Sequence, residues 1–103
     1  MAVYFVYILR CADGTLYTGS TNDVATRELK HNSGRGAKYT ASRRPVRVVY
    51  SEPHESRSAA QKREAELKGW TRARKQALIG ADSALLTRLG PMSRRRTLSG
   101  GSE

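Results

Sequence analysis

Cysteine is almost missing from this chain. Cys11 is the only one among 103 residues, so no internal disulfide can form and a cysteine-rich zinc site is excluded. A lone cysteine in an apolar strand is ordinarily a small buried side chain. Long hydrophobic runs are missing too, and nothing approaches the roughly 20 apolar residues of a spanning helix. The apolar start, Met1 to Leu9, lacks both a basic lead and a small-residue cleavage site. It does not read as a signal peptide, and a cytoplasmic protein with no membrane partner is expected. Acidic residues are scarce: 9 Asp+Glu face 19 Lys+Arg, a formal net charge of +10. Such a surplus is silent about fold but favours polyanionic partners through steering and counterion release. Nucleic acid is the expected partner, ahead of an anionic membrane surface; a merely solubilising basic surface is the plain alternative.

The length gives room for one domain with one core. Val3 to Leu9 is β-branched and aromatic, with apolar residues at both parities, which predicts a strand covered on both faces. Asp13-Gly14 signals a turn, and Leu16 to Ser20 reads as the returning strand of a hairpin. Gly19 marks a close approach or a bulge in that strand. Thr21, Asn22 and Asp23 offer N-cap chemistry for a helix to about Asn32, with Val24, Arg27 and His31 on one face. Gly34-Arg35-Gly36 ends that helix and opens a basic loop that Pro45 closes. Val46 to Tyr50 is a third strand, with Val46, Val48 and Tyr50 expected on one face. Ser56 or Ser58 caps a second helix that stops near Gly69; a third runs from Trp70 and Thr71 to Ile79, and Ser83 to Leu89 adds a further turn. The expectation is an α+β fold, a small three-stranded antiparallel sheet flanked by helices in the order strand-strand-helix-strand-helix-helix. It occupies residues 1–90, followed by a disordered basic tail over 91–103 that carries Arg94, Arg95 and Arg96. The oligomeric state is not legible, and a monomer is assumed.

Phosphodiester hydrolysis needs a group to take a proton from water, positive charge on the phosphorane, and neutralisation of the leaving oxygen. Tyr7 and Tyr17 stand on the two arms of the hairpin. Arg27 offers a forked phosphate ligand, and His31 lies one turn later on the same face. Glu64 is the candidate metal ligand, since its oxygens suit Mg²⁺ or Mn²⁺. Each residue also has an ordinary reading: packed strand tyrosines, a solvated arginine, a helix-terminal histidine, and a Glu64–Lys68 surface pair.

Together they resemble a known family. Val6-Tyr7-Ile8, ten residues ahead of Tyr17-Thr18-Gly19, is similar to the paired-tyrosine signature of the GIY-YIG nuclease superfamily. Ser20 to Arg27 with His31 matches its first helix, and Lys62 to Lys68 its acidic helix. Gly36-Ala37-Lys38-Tyr39-Thr40 matches a loop of the small stand-alone bacterial members, and the resemblance runs from about Val3 to Ile79. It implies that Tyr7 is general base or water-orienting group with Tyr17 beside it. It further implies that Arg27 stabilises phosphorane charge, that Glu64 holds one divalent cation, Mg²⁺ or Mn²⁺, and that His31 contacts the site. Whether Tyr7 or His31 takes the proton stays open. Two departures stand out: the first motif reads Val-Tyr-Ile, and no Asn follows Asn32, with Gln76 the nearest substitute for the Asn of a later family helix.

A shared site sets a condition on the hairpin. A two-residue Asp13-Gly14 loop would turn Tyr7 and Tyr17 to opposite faces, so a three-residue loop or a bulge near Gly14 is expected. Nucleic acid would be gripped by Arg35, Lys38, Arg43 and Arg44, with Tyr39 stacking on a base. The implied activity is a metal-dependent DNA endonuclease of low sequence specificity, in repair, recombination or uptake. The alternative is a non-catalytic DNA- or RNA-binding accessory that keeps the fold, and RNA as substrate is a further option.

Overall fold

A computed structural model of the chain describes residues 3–80. The elements are β1 (Tyr4–Cys11), β2 (Leu16–Thr21), α1 (Val24–Asn32), α2 (Lys38–Ala41), β3 (Val46–His54), α3 (Arg57–Lys68) and α4 (Arg72–Ile79). The strands form one antiparallel sheet in the order β2-β1-β3, which is the expected α+β architecture. The central strand is apolar at both parities because both of its faces are covered, and Val6, Tyr7, Ile8 and Leu9 are all buried.

The hairpin meets the condition set for it. Cys11 N–H donates to the Thr15 carbonyl at 2.9 Å and Gly14 N–H to the Cys11 carbonyl at 2.9 Å, which leaves Ala12, Asp13 and Gly14 as a three-residue loop. Gly14 takes φ 86°, the left-handed position such a loop requires. The Asp13 carboxylate fixes the turn by accepting from Thr15 N–H at 3.1 Å and from its hydroxyl at 2.6 Å. The odd loop pairs Leu9 with Tyr17 and Tyr7 with Gly19, so both tyrosines share a face.

That face packs Tyr7, Leu9, Cys11 and Val46 with Tyr17, Val48 and Val24 of α1. Asp23 caps α1, accepting from Thr26 N–H at 3.1 Å. Further along α1, Glu28 accepts from Val48 N–H at 2.8 Å, and Asn32 exchanges bonds of 2.7 and 2.9 Å with the Val46 main chain. Side chains of α1 thus satisfy the open edge of β3, which would otherwise be free to pair with another chain. The opposite face carries α3, capped by Ser56 (Ala59 N–H to its hydroxyl, 3.0 Å) and burying Ala60 and Leu67.

Two expectations are corrected. Tyr50 does not share a face with Val46 and Val48. The register shifts between Ile8 and Leu9, so Leu9 pairs with Val48 but Ile8 with Tyr50, and the extra residue turns Tyr50 toward α3. There its hydroxyl donates to Glu52 at 2.6 Å, and Glu52 also takes Arg63 Nε at 2.9 Å and His54 Nε2 at 2.6 Å. β3 also runs on to His54, with Pro53 tolerated because β3 is an edge strand. The second correction is α2, one helical turn inside what reads as a basic loop; four residues are too few to display a helical period.

The described residues divide between Lys68 and Gly69 into two compact units, and α4 belongs to the second. Thr71 caps α4 by accepting from Arg74 N–H at 3.2 Å. The expected turn at Ser83 to Leu89 and the tail lie outside the described residues. Among the described residues no helix is long and apolar enough to cross a membrane.

Candidate active site

Gly19 determines where Tyr7 goes. A Cβ built on Gly19 would stand 2.5 Å from the Tyr7 hydroxyl oxygen and 2.7 Å from Cζ, so the ring lies directly across β2 where a side chain is missing. Tyr7 is 2% exposed, and its hydroxyl meets His31 Nε2 at 3.0 Å. The phase of α1 supplies the partners. Arg27 reaches the Tyr7 hydroxyl, and His31, one turn on, is 2% exposed with its ring edge-on to Tyr7 (6.1 Å) and to Tyr17 (5.3 Å).

The far side of the imidazole is held by α2. His31 Nδ1 lies 2.8 Å from Thr40 Oγ1, whose own hydroxyl donates to the Ala37 carbonyl at 2.9 Å. With the single Thr40 proton committed there, Nδ1–H is the donor to Thr40 and Nε2 is left as acceptor for the Tyr7 hydroxyl. This tautomer is assigned from the hydrogen-bond pattern; the Ala37 N–H, 3.4 Å from Nδ1, is too distant to reverse it. Gly36 lets the loop close over this ring, since any Cβ there would overlap His31.

Burial sets the charge states. It pushes Tyr7 up to about 12, with the neighbouring Tyr17 adding to the rise and Arg27 pulling the other way without winning. It also holds His31 below its usual 6.5, helped by the positive charges of Arg27 and Lys30. A neutral imidazole therefore faces a protonated phenol at neutral pH.

Glu64 stands at the margin of this group, close enough for its charge to act on Tyr7. One carboxylate oxygen accepts from Ser20 Oγ at 2.7 Å and the other from Lys68 Nζ at 2.8 Å. No cluster of three or more His, Cys, Asp or Glu side chains exists among the described residues. A single carboxylate still fits Mg²⁺ or Mn²⁺ in the mode where waters and substrate phosphates complete the shell. The Lys68 contact is with a half-exposed, flexible ammonium and can give way.

The expected nucleic-acid residues divide into three kinds. Tyr39 stacks on Tyr17 (5.9 Å, 25°) and carries the Arg43 guanidinium 3.9 Å above its ring, so these two extend the site outward. Arg43 is further tied to Asp13 at 3.2 Å and to the Tyr39 carbonyl at 2.8 Å. Arg35 and Lys38 have exposed side chains. Arg44 instead donates to the carbonyls of Ala41 (2.9 Å) and Asn32 (3.2 Å), closing the ends of two helices. Gln76 is in α4, within the second unit. Thr40, Ser20 and Lys68 lie within the segments that carry the resemblance, but nothing in their spacing assigned Thr40 or Ser20 a role, and Lys68 read only as the i+4 partner of Glu64.

One face of the sheet thus joins the two tyrosines to Arg27 and His31, and residues 3–77 match the GIY-YIG catalytic domain. The chain belongs to the GIY-YIG family. UPF0213 proteins of Staphylococcus aureus, from strains Mu3 / ATCC 700698 and N315, are each 56% identical to it over 79 residues, 77% of this chain and 96% of theirs. Among solved structures, the GIY-YIG chain is similar to a UPF0213 protein of Bacillus halodurans determined by solution NMR. That pair has 44% identity and TM-score 0.51, covering 78% of this chain and 85% of the other. A protein of E. faecalis, also solved by NMR, is 41% identical with TM-score 0.56, over 82% and 90% of the two chains. Membership places this GIY-YIG domain in a nuclease family.

Proposed function

We propose that the protein is a divalent-metal-dependent endonuclease that hydrolyses DNA phosphodiester bonds with low sequence specificity. The observation that carries this reading is the Tyr7–His31–Thr40 chain of hydrogen bonds, with Arg27 bonded to the Tyr7 hydroxyl and Glu64 near enough for its charge to act on it. A phenol near 12 is a poor base alone. Its hydroxyl, however, donates to a neutral imidazole, so Tyr7 can accept a proton from water as its own passes to His31 Nε2. Thr40 holds Nδ1–H throughout, which keeps Nε2 oriented. Arg27 offers charge to the phosphorane oxygens, and Tyr17 walls the site beside His31. Mg²⁺ or Mn²⁺ at Glu64 would stabilise the leaving oxygen. Arg35, Lys38 and Arg43, with Tyr39, would hold the strand, while Arg44 serves chiefly the fold. The +10 net charge supports a nucleic-acid substrate.

The experiment is cleavage of labelled single-stranded, duplex and branched DNA with Mg²⁺, Mn²⁺ or EDTA, comparing wild type with Glu64→Ala. Metal-dependent cutting by wild type, lost in the variant with binding retained, is the expected result. Binding to all three substrates without cutting under either metal would replace the nuclease with an accessory that binds nucleic acid and keeps the fold. A ribo-substituted set in the same assay decides between DNA and RNA.

A further inference from the structure

A second recess adjoins the site where β2 runs out into α1. It is polar, of about 340 Å³, and its lining includes Tyr4, Ser20, Asn22, Arg27, Arg57 and Gln61. Two of its walls belong to the catalytic group: Arg27 also reaches Tyr7, and Ser20 holds Glu64. Arg57, the first residue of α3, and Gln61, one turn later, form the opposite wall. The recess therefore opens on the side of Arg27 and Ser20 away from Tyr17, Tyr39 and Arg43, at the other end of β2.

Two guanidinium-bearing residues line one recess and no carboxylate lines it with them. Glu64 is already engaged by Ser20 of the shared wall and by Lys68. Like charges held at one recess without a counter-charge are costly, and an anion that both can reach relieves that cost. The side chains of Asn22 and Gln61 and the first turn of a twelve-residue helix add donors and partial positive charge. Oxygen-rich anions with forked geometry, above all phosphate diesters, match that set.

We propose that this recess is a second phosphate subsite, in which Arg57 with Gln61 and Asn22 holds the phosphate next to the one that meets Tyr7, Arg27 and Glu64. Arg27 is then shared between two successive phosphates, and the nucleic-acid strand runs along the β2 edge. It passes from Tyr39 and Arg43 at one end to Arg57 at the other. The assignment rests on the proposed nucleic-acid substrate and adds the direction of the strand and a residue that no sequence motif marked.

The test measures binding of the full chain to a labelled oligonucleotide in EDTA, as a function of salt, so that no turnover is required. Arg57→Gln is expected to lower the slope of log affinity against log salt by about 0.7 for a single strand or about 0.9 for a duplex, the loss of one phosphate contact. Arg57→Lys is expected to restore most of it. Lys62→Gln, on the same helix but outside the recess, is expected to leave the slope unchanged. An unaltered slope in Arg57→Gln, or an equal fall in Lys62→Gln, overturns the proposal. Inorganic phosphate, titrated at constant ionic strength, separates polymer from free anion. Phosphate that binds wild type but not Arg57→Gln, without displacing the oligonucleotide, would make this a free-phosphate site and overturn the strand path. If Arg57 governs binding but wild type never cuts, the subsite stands and the nuclease falls. If wild type cuts and Arg57 is silent in binding, the reverse holds.

Discussion

Replacing Gly19 by alanine adds one methyl group at the point where the site has no space for it. The new Cβ would lie 2.5 Å from the Tyr7 oxygen and 2.7 Å from Cζ, whereas non-bonded carbons settle at about 3.5–4.0 Å. The ring must retreat by about 1 Å, but it is buried among Leu9, Cys11 and Val46 with nowhere to go without disturbing them. Overpacking of this kind costs about 1–3 kcal/mol. The 3.0 Å bond to His31 Nε2 would stretch beyond hydrogen-bonding range as well, which adds about 0.5–1.5 kcal/mol. The total is about 1.5–4.5 kcal/mol, and at about 4–8 °C per kcal/mol for a domain of this size the melting point should fall by roughly 6 °C or more. Urea unfolding with an unchanged m-value gives the stability term, and DNA cleavage under conditions where the variant is folded gives the loss of function. A Gly19→Ala protein within about 0.5 kcal/mol of wild type would refute the claim that Tyr7 is positioned by the missing side chain. Adding Tyr7→Phe sharpens the test, since it removes the closer of the two clashing atoms and should recover part of the loss.

Three further outcomes are expected. Thr40→Val removes the hydroxyl that holds His31 Nδ1 at 2.8 Å; it should cost about 1–3 kcal/mol in urea unfolding, and cleavage should fall further than stability explains, by about 10–100-fold. His31 has a depressed folded pKa, so below 6.5 the unfolded chain binds a proton that the folded chain refuses. Stability should therefore fall as pH drops from 6.5 toward the folded value, by at most about 1.4 kcal/mol per pH unit, and the slope should flatten in His31→Asn. Lys68→Gln frees a Glu64 oxygen now 2.8 Å from an ammonium and should tighten Mn²⁺ binding by about fivefold in calorimetry; unchanged affinity would separate Glu64 from the metal.

The sheet and its long helices were legible because each is written in one local signal. β1 shows apolar residues at both parities, Asp23 and Thr71 are placed to cap helices, and Asp13-Gly14 announces a turn. The demand that Tyr7 and Tyr17 share a face called for a three-residue loop or a bulge, and the loop has three residues. What could not be read depends on contacts between distant segments. The bulge that turns Tyr50 to the other face arises from pairing with β1 and leaves no mark in the spacing of β3. Thr40 completes the His31 bond chain only because α2 folds a short turn beneath the ring. Arg44 reads as a phosphate ligand in a basic loop, yet two helix ends supply carbonyls for it. Family resemblance marked five site residues, but the proton direction among them comes from burial and hydrogen bonding, which spacing does not encode.

The account turns on the hydroxyl of Tyr7, and single-turnover DNA cleavage by wild type and Tyr7→Phe under saturating Mg²⁺ or Mn²⁺ tests it most directly. The substitution deletes one oxygen and leaves the ring to fill the same space. Cleavage is expected to fall by at least about 100-fold with DNA binding and the far-ultraviolet dichroism retained, the loss that follows when a general base is removed. A Tyr7→Phe protein that cuts at the wild-type rate would place the base elsewhere and contradict the relay through His31.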